Sequence, residues 1–94
     1  MYDLEKIIQN TSKIKVLYVE DNEQARVSTL AVLSEFFFNI IVAIDGEDGL
    51  EKFSKNKIDL IITDINMPNL DGLDMIEKIR EKNKEIICSA FISI

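Results

Sequence analysis

Four short apolar runs alternate with amphipathic segments along this 94-residue chain. Such runs are typical of strands buried on both faces of a sheet, and the segments between them carry apolar residues at helical spacing. The predicted strands cover residues 14–19, 40–44, 58–63 and 86–90. The predicted helices cover residues 25–38, 47–54 and 73–82. A further short helix is predicted at residues 4–10, within an N-terminal extension formed by residues 1–13.

This alternation of strands and helices predicts the fold class. A strand that is followed by a helix and then by another strand forms a right-handed crossover, which makes the two strands parallel. We therefore predict an α/β fold over residues 14–94, a doubly wound parallel sheet covered on both faces. Because only an apolar run follows residue 90, we expect an incomplete sheet of four strands.

Helical spacing also predicts which apolar side chains share a helix face. In the first of the three main helices Val27, Leu30, Ala31, Leu33 and Phe37 lie broadly on one face. In the second helix Leu50 and Phe53 are expected to face inward. The third helix carries the apolar residues Leu73, Met75, Ile76 and Ile79.

Composition limits the classes of function. Seventeen acidic and eleven basic residues leave a net charge of -6, which disfavours direct binding to nucleic acid or to an anionic membrane. No apolar run approaches the roughly 20 residues that span a bilayer, and the N-terminus lacks the pattern of a signal peptide. We therefore expect a cytoplasmic protein. The single cysteine, Cys88, cannot form an internal disulfide, and we expect a buried thiol there.

Acidic residues follow two of the predicted strands. Glu20 and Asp21 come directly after the first strand, and Asp64 comes directly after the third. Because the carboxyl ends of parallel strands share one sheet edge, where ligands bind in such folds, we expect these side chains to lie together. Carboxylate oxygens suit Mg²⁺, and a metal-neutralised carboxylate is able to attack a phosphoryl group. Ser89, at the end of the predicted fourth strand, is a candidate hydrogen-bond donor to phosphoryl oxygens.

Other interpretations of the acidic residues are open. A single acid after a strand is often a helix N-cap or a solvated loop residue. A phosphatase of the haloacid dehalogenase type expects a second acid two residues after the nucleophile, where this chain has Asn66. A calcium loop of the EF-hand type is disfavoured, because the glycine at its sixth position and the terminal glutamate are absent.

Four segments together resemble the receiver domain of two-component response regulators. They are residues 16–22, 45–50, 59–73 and 86–90, and the resemblance runs from about residue 14 to residue 90. It implies a flavodoxin-like fold, with the strand order 2-1-3-4 expected for the strands present here.

The resemblance also implies a role for each residue of the site. It implies that Asp64 is the phospho-acceptor, that Asp21 binds Mg²⁺ directly, and that Glu20 binds it through water. Asn66 is expected to offer its backbone carbonyl to the metal, and Ser89 is expected to be the switch hydroxyl. The implied partner is a histidine kinase, and the implied activity is that of a signalling switch rather than of a turnover enzyme.

The chain departs from this family after the fourth strand. Receivers continue with a further helix, a fifth strand that carries a lysine, and a last helix, none of which has a counterpart here. We therefore expect a receiver truncated at its C-terminus, with an unpaired edge on the fourth strand. That edge predicts a homo-oligomer formed through residues 86–94. The alternative function is a self-associating interaction module that no longer accepts phosphate.

Overall fold

The computed structural model describes residues 14–64, 71–83 and the backbone of residues 87–91. Within these residues the strands are β1 (Lys15–Val19), β2 (Asn39–Ala43), β3 (Leu60–Asp64) and β4 (Ile87–Phe91). The helices are α1 (Glu23–Leu33), α2 (Gly46–Lys55) and α3 (Gly72–Lys82). None of these helices combines the length and the apolar character needed to cross a lipid bilayer. The predicted helix at residues 4–10 lies outside the described residues.

The four strands form one parallel sheet in the order β2-β1-β3-β4. The α/β fold and the strand order expected from the sequence are therefore confirmed. In the centre of the sheet, Val19 pairs with Ala43 on one side and with Thr63 on the other. This register makes the carboxyl ends of β1 and β3 level, so that Glu20 and Asp64 leave the sheet side by side.

Helices α2 and α3 cover one face of the sheet and enclose the main core. Met75 and Ile79 of α3 are fully buried there against Leu17, Val19 and Ile61 of the strands. Partly buried apolar side chains complete the cluster: Ile41, Leu50, Phe53 and Ile76. The inward positions predicted for α2, Leu50 and Phe53, are confirmed.

Leu73 differs from the other apolar residues of α3, because 54% of its surface is exposed. The reason is geometric. Leu73 precedes Met75 by two residues, which is about 200° around a helix with 3.6 residues per turn. A helix that points Met75 and Ile79 at the sheet therefore turns Leu73 towards solvent.

Helix α1 differs most from the sequence prediction, both in length and in the face that it buries. It ends at Leu33 rather than at Phe38, and Ser34 caps it by donating its backbone N–H to Leu30 O at 2.9 Å. No residue of α1 is buried, and Val27 is 63% exposed. The expectation that Val27 and Ala31 share one face with Leu30, Leu33 and Phe37 is wrong, because Val27 and Ala31 are exposed whereas the other three are half-buried.

The side of α1 that meets the sheet carries polar as well as apolar residues. Arg26, Thr29 and Leu33 are half-buried on this side. Burial raises the pKa of the Tyr18 hydroxyl on β1, and the neighbouring Thr29 side chain of α1 partly opposes this shift. Polar contacts therefore contribute to the orientation of α1 on the sheet.

The end of β2 is tied to α2 by one carboxylate and one ammonium group. Asp48 Oδ2 accepts hydrogen bonds from Ile44 N at 3.0 Å and from Lys52 Nζ at 3.0 Å. Lys52 Nζ also donates to Val42 O at 2.7 Å. Burial opposes the charge of Asp48, but these two donors outweigh it and hold the Asp48 pKa below its ordinary value. The contacts set the position of α2 against the sheet.

Gly49 lets α2 approach β1 closely. A Cβ atom at this position would lie 2.6 Å from Met75 Sδ and 3.1 Å from Val19 Cγ2, and both of these side chains are fully buried. The absence of a side chain at Gly49 is therefore a condition for packing α2 and α3 against the sheet.

We expect Gly49→Ala to destabilise the domain by about 1–2 kcal/mol, because overpacking a filled core outweighs the gain in helix propensity. Urea unfolding followed by circular dichroism measures the change. Ser54→Ala, at an exposed position of the same helix, is the control and should stay within about 0.5 kcal/mol of the wild type. A Gly49→Ala variant as stable as the wild type would show that Met75 moves aside freely.

Candidate metal centre

Three carboxylates meet at the carboxyl edge of the sheet. Glu20 follows the last residue of β1, Asp21 is next along the chain, and Asp64 is the last residue of β3. One carboxylate oxygen from each of the three lies within 4.8 Å of the other two. The structure thus brings together three of the site residues that the sequence indicates.

Two of these carboxylates are withdrawn from solvent. Glu20 is 1% exposed and Asp64 is 2% exposed. Burial, followed by a hydrogen bond shared with the Asp64 carboxyl, raises the pKa of Glu20 to about 7. The backbone N–H of Asn22 opposes this shift by donating to Glu20 Oε2 at 3.4 Å. Ionised Glu20 therefore carries an electrostatic cost that a cation would relieve.

The donor set fits Mg²⁺. This ion prefers oxygen ligands at about 2.1 Å, so two ligands of one ion are at most about 4.2 Å apart. The three carboxylate oxygens lie within 4.8 Å of one another, which is slightly more than this limit. One ion could therefore contact the cluster if a water molecule connected it to one of the three carboxylates. Glu20, Asp21 and Asp64 supply this set, and its combined negative charge favours a divalent cation.

The loop between β1 and α1 is held by hydrogen bonds at both ends. Glu20 N donates to Ala43 O of β2 at 3.1 Å, which fixes the start of the loop to the sheet. Asn22 Oδ1 accepts from Ala25 N at 2.9 Å and so caps α1. Asn22 is therefore the N-cap of α1, and the two acidic residues before it are left for the cluster.

Comparison with known proteins agrees with this geometry. The model of the response regulator receiver domain family matches residues 16–93. The chain belongs to the response regulator receiver domain family.

Relatives of this receiver domain include a bacterial sensor protein and a solved domain. The sensor protein EvgS of Escherichia coli K12 is 34% identical over 82 residues, which are 87% of this chain but 7% of EvgS. The N-terminal domain of an uncharacterized protein from Wolinella succinogenes is 34% identical, with a TM-score of 0.78 over 86% of this chain and 65% of that one. The chain therefore spans only part of the proteins that it matches.

A third relative was crystallised in two complexes. The response regulator TrrA of Thermotoga maritima was crystallised with Mg²⁺ and BeF, and this structure is 31% identical, with a TM-score of 0.69 over 84% of this chain and 67% of that one. The structure of TrrA with the histidine kinase ThkA is also 31% identical, with a TM-score of 0.74 over 85% of this chain and 69% of the matched chain.

Two site residues expected for a receiver require separate comment. Asn66 lies outside the described residues. Ser89 lies within β4, which continues to Phe91, so the prediction that it ends the strand is wrong. Its register partner is Ile62, and the position opposite Asp64 is that of Phe91. The strand continues because β3 runs to Asp64 and pairs with β4 over that whole length.

Two residues near the carboxylates were not predicted from the sequence. Arg26 Nη1 donates to the main-chain carbonyl of Glu20 at 3.0 Å, and the buried Thr63 Oγ1 donates to the carbonyl of Asp64 at 3.0 Å. The sequence feature that could have indicated the role of Arg26 is its distance along the chain from the helix N-cap. It lies one helical turn after the N-cap Asn22, where a long side chain reaches back over the loop.

In metal-free buffer at pH 8 we expect Glu20→Gln to be more stable than the wild type, on the order of 1–3 kcal/mol. Folding raises the pKa of Glu20 from 4.5 to about 7. The contribution of Glu20 to the free energy of unfolding is therefore fully present below pH 4.5 and is lost as the pH rises through 7. The advantage of Glu20→Gln should therefore disappear near pH 5. Urea unfolding in EDTA at both pH values measures it.

Glu77→Gln is the matched control for this experiment, because Glu77 is exposed on α3. Its stability relative to the wild type should not change between the two pH values. A Glu20→Gln variant that is less stable than the wild type at pH 8 would contradict an electrostatic cost at Glu20.

Proposed function

We propose that this receiver domain is a phospho-accepting switch of a two-component phosphorelay, in which Asp64 takes a phosphoryl group from a histidine kinase. The observation that carries the proposal is the position of Asp64. It is buried at the end of β3, with oxygens of Glu20 and Asp21 within 4.8 Å of its own. Asp64 is thus the one residue of the cluster that ends a strand. A cation held beside it would neutralise the negative charge of the neighbouring carboxylates.

The proposed roles follow from this arrangement. Asp21, which is more exposed than the other two, binds Mg²⁺ directly, and Glu20 binds it through water. Asn66 contributes its main-chain carbonyl. When bound, Mg²⁺ supplies charge neutralisation and orients the phosphoryl oxygens.

Asp64 performs the transfer in this proposal. One of its carboxylate oxygens forms a bond to phosphorus while the bond between phosphorus and the donor nitrogen breaks. The donor imidazole keeps the electron pair and takes up a proton, and Asp64 becomes an acyl phosphate. Ser89 then hydrogen-bonds the phosphoryl group as the switch hydroxyl. A single reversible modification of this kind makes the domain a switch rather than a turnover enzyme.

The relatives support the choice of partner and metal. TrrA was crystallised with a histidine kinase and, separately, with Mg²⁺ and BeF. A histidine kinase is therefore the proposed phosphodonor and Mg²⁺ the proposed cofactor. The net charge of -6 supports a role without direct nucleic-acid binding, and cytoplasmic histidine kinase domains imply a cytoplasmic location.

Incubation with acetyl phosphate and Mg²⁺ should add one phosphoryl group to the intact mass of the wild type. The gain should disappear in EDTA and in Asp64→Asn, because each removes one part of the site. Asp59→Asn is the matched control, since Asp59 lies next to the opposite end of β3 and accepts a hydrogen bond from Lys15 N. It should be phosphorylated like the wild type.

A folded wild type that gains no mass, or an Asp64→Asn variant that still gains it, would contradict the proposal. Circular dichroism on the same samples separates loss of the fold from loss of the site.

A second candidate function is a self-associating interaction module. Two observations favour it. Apolar side chains are exposed on and after α1, including Val32 at 56%, Phe36 at 48% and Phe38 at 75%. Among the described strands, β4 also has a neighbour on one side only. An unpaired strand edge and an apolar patch are both features that promote association.

Size-exclusion chromatography with light scattering should show a dimer or larger species at micromolar concentration if this second function holds. Phe38→Ser should then shift the distribution towards monomer, because it reduces the exposed apolar area. Leu73→Ser, which removes an exposed apolar side chain from α3, is the control and should leave the distribution unchanged. A clean monomer at all concentrations would exclude self-association.

A further inference from the structure

Arg26 links α1 by hydrogen bonds to the loop that carries two of the three carboxylates. Its backbone N–H donates to Asn22 O at 2.8 Å, in the first turn of the helix. Its side chain turns back over the loop, where Nη1 donates to Glu20 O at 3.0 Å and to Asp21 O at 3.4 Å. One guanidinium nitrogen thus spans the main-chain carbonyls of two consecutive acidic residues.

These contacts act on the main chain rather than on the carboxylates. The hydrogen bonds that the Arg26 side chain makes go to carbonyl oxygens. The direction of a carbonyl sets the plane of its peptide, and the peptide planes on either side of Asp21 set the direction of its Cα–Cβ bond. Arg26 therefore restrains the direction in which Asp21 leaves the loop, and with it the distance from Asp21 to Asp64.

Such a restraint is needed when all three groups are ionised, because the carboxylates then repel one another. Three acidic groups with oxygens within 4.8 Å favour any loop movement that separates them. The other contacts of the loop with the rest of the domain lie at its two ends, at Ala43 O for Glu20 N and at Ala25 N for the Asn22 side chain. Within the loop, Asn22 N donates to Glu20 Oε2 at 3.4 Å. In the described structure, the middle of the loop is held by the half-buried Arg26.

We propose that Arg26 is a positioning residue of the metal centre, which sets the affinity for a divalent cation by holding the main chain of Glu20 and Asp21. The inference rests on the proposed function, since that function assigns the cation to these carboxylates. Arginine suits the role because its planar fork presents several donors in a fixed geometry, whereas the ammonium group of lysine is a point charge.

The test is a Mg²⁺ titration by calorimetry of the wild type, Arg26→Met and Arg26→Lys. Methionine keeps a long apolar stem and removes the donors. We expect Arg26→Met to weaken Mg²⁺ binding about tenfold or more, as is typical when a residue that orients a metal ligand is lost. The Mg²⁺ affinity of Arg26→Lys should lie between that of the wild type and that of Arg26→Met, because the lysine ammonium group keeps the charge without the planar fork of donors. Arg80→Met, at an exposed position of α3, should bind like the wild type.

A second readout separates positioning from general stability. In acetyl phosphate reactions, Arg26→Met should need a higher Mg²⁺ concentration for half-maximal phosphorylation and should reach the wild-type rate at saturating Mg²⁺. Lower stability alone would not produce this split. If Arg26→Met does not fold, Arg26→Lys carries the test, and a folded Arg26→Lys with wild-type affinity overturns the proposal.

The outcomes distinguish this inference from the proposed function. Wild-type affinity in Arg26→Met, or an equal loss in Arg80→Met, overturns the role of Arg26 while phosphorylation of Asp64 still stands. A wild type that binds Mg²⁺ with the expected dependence on Arg26 but gains no phosphoryl group overturns the proposed function alone. A wild type that binds no Mg²⁺ overturns both.

Discussion

Repulsion among three carboxylates at one sheet edge, when all three are ionised, is the constraint that the rest of this structure has to withstand. Glu20 and Asp64 are almost fully buried, and the pKa of Glu20 rises to about 7 because burial and a neighbouring carboxyl disfavour its charge. A free peptide would separate such groups. The folded domain keeps them together because its sheet register and its core are already determined by apolar packing elsewhere.

The scaffold that resists this repulsion is centred on β1. Its residues Val16 to Val19 are fully buried, and the strand pairs with β2 and β3 on its two sides. The close approach of α2 at Gly49 packs this strand against Met75, so the core and the register support each other. Glu20 and Asp21 therefore follow a strand that is buried along most of its length, which favours a site of constant geometry.

Helix α1 joins the site to the surface of the domain. Its first turn holds the acidic loop through the Asn22 cap and the Arg26 side chain, while Val27 and Val32 expose apolar surface to solvent. Because no residue of this helix is buried, local hydrogen bonds contribute more to its position than they do for α2 and α3. The acidic loop is thus tied to a helix that buries no residue in the core.

The sequence alone determined the α/β class, the alternation of elements and the acidic residues at two strand ends, because apolar periodicity and strand-end carboxylates are local signals. The strand order came from family resemblance. Only the tertiary structure decided the end of α1, the exposure of Leu73, the continuation of β4 past Ser89 and the contact of Arg26 with two carbonyls. Each depends on which helix face docks or how far a neighbouring strand pairs, and packing between distant segments sets both.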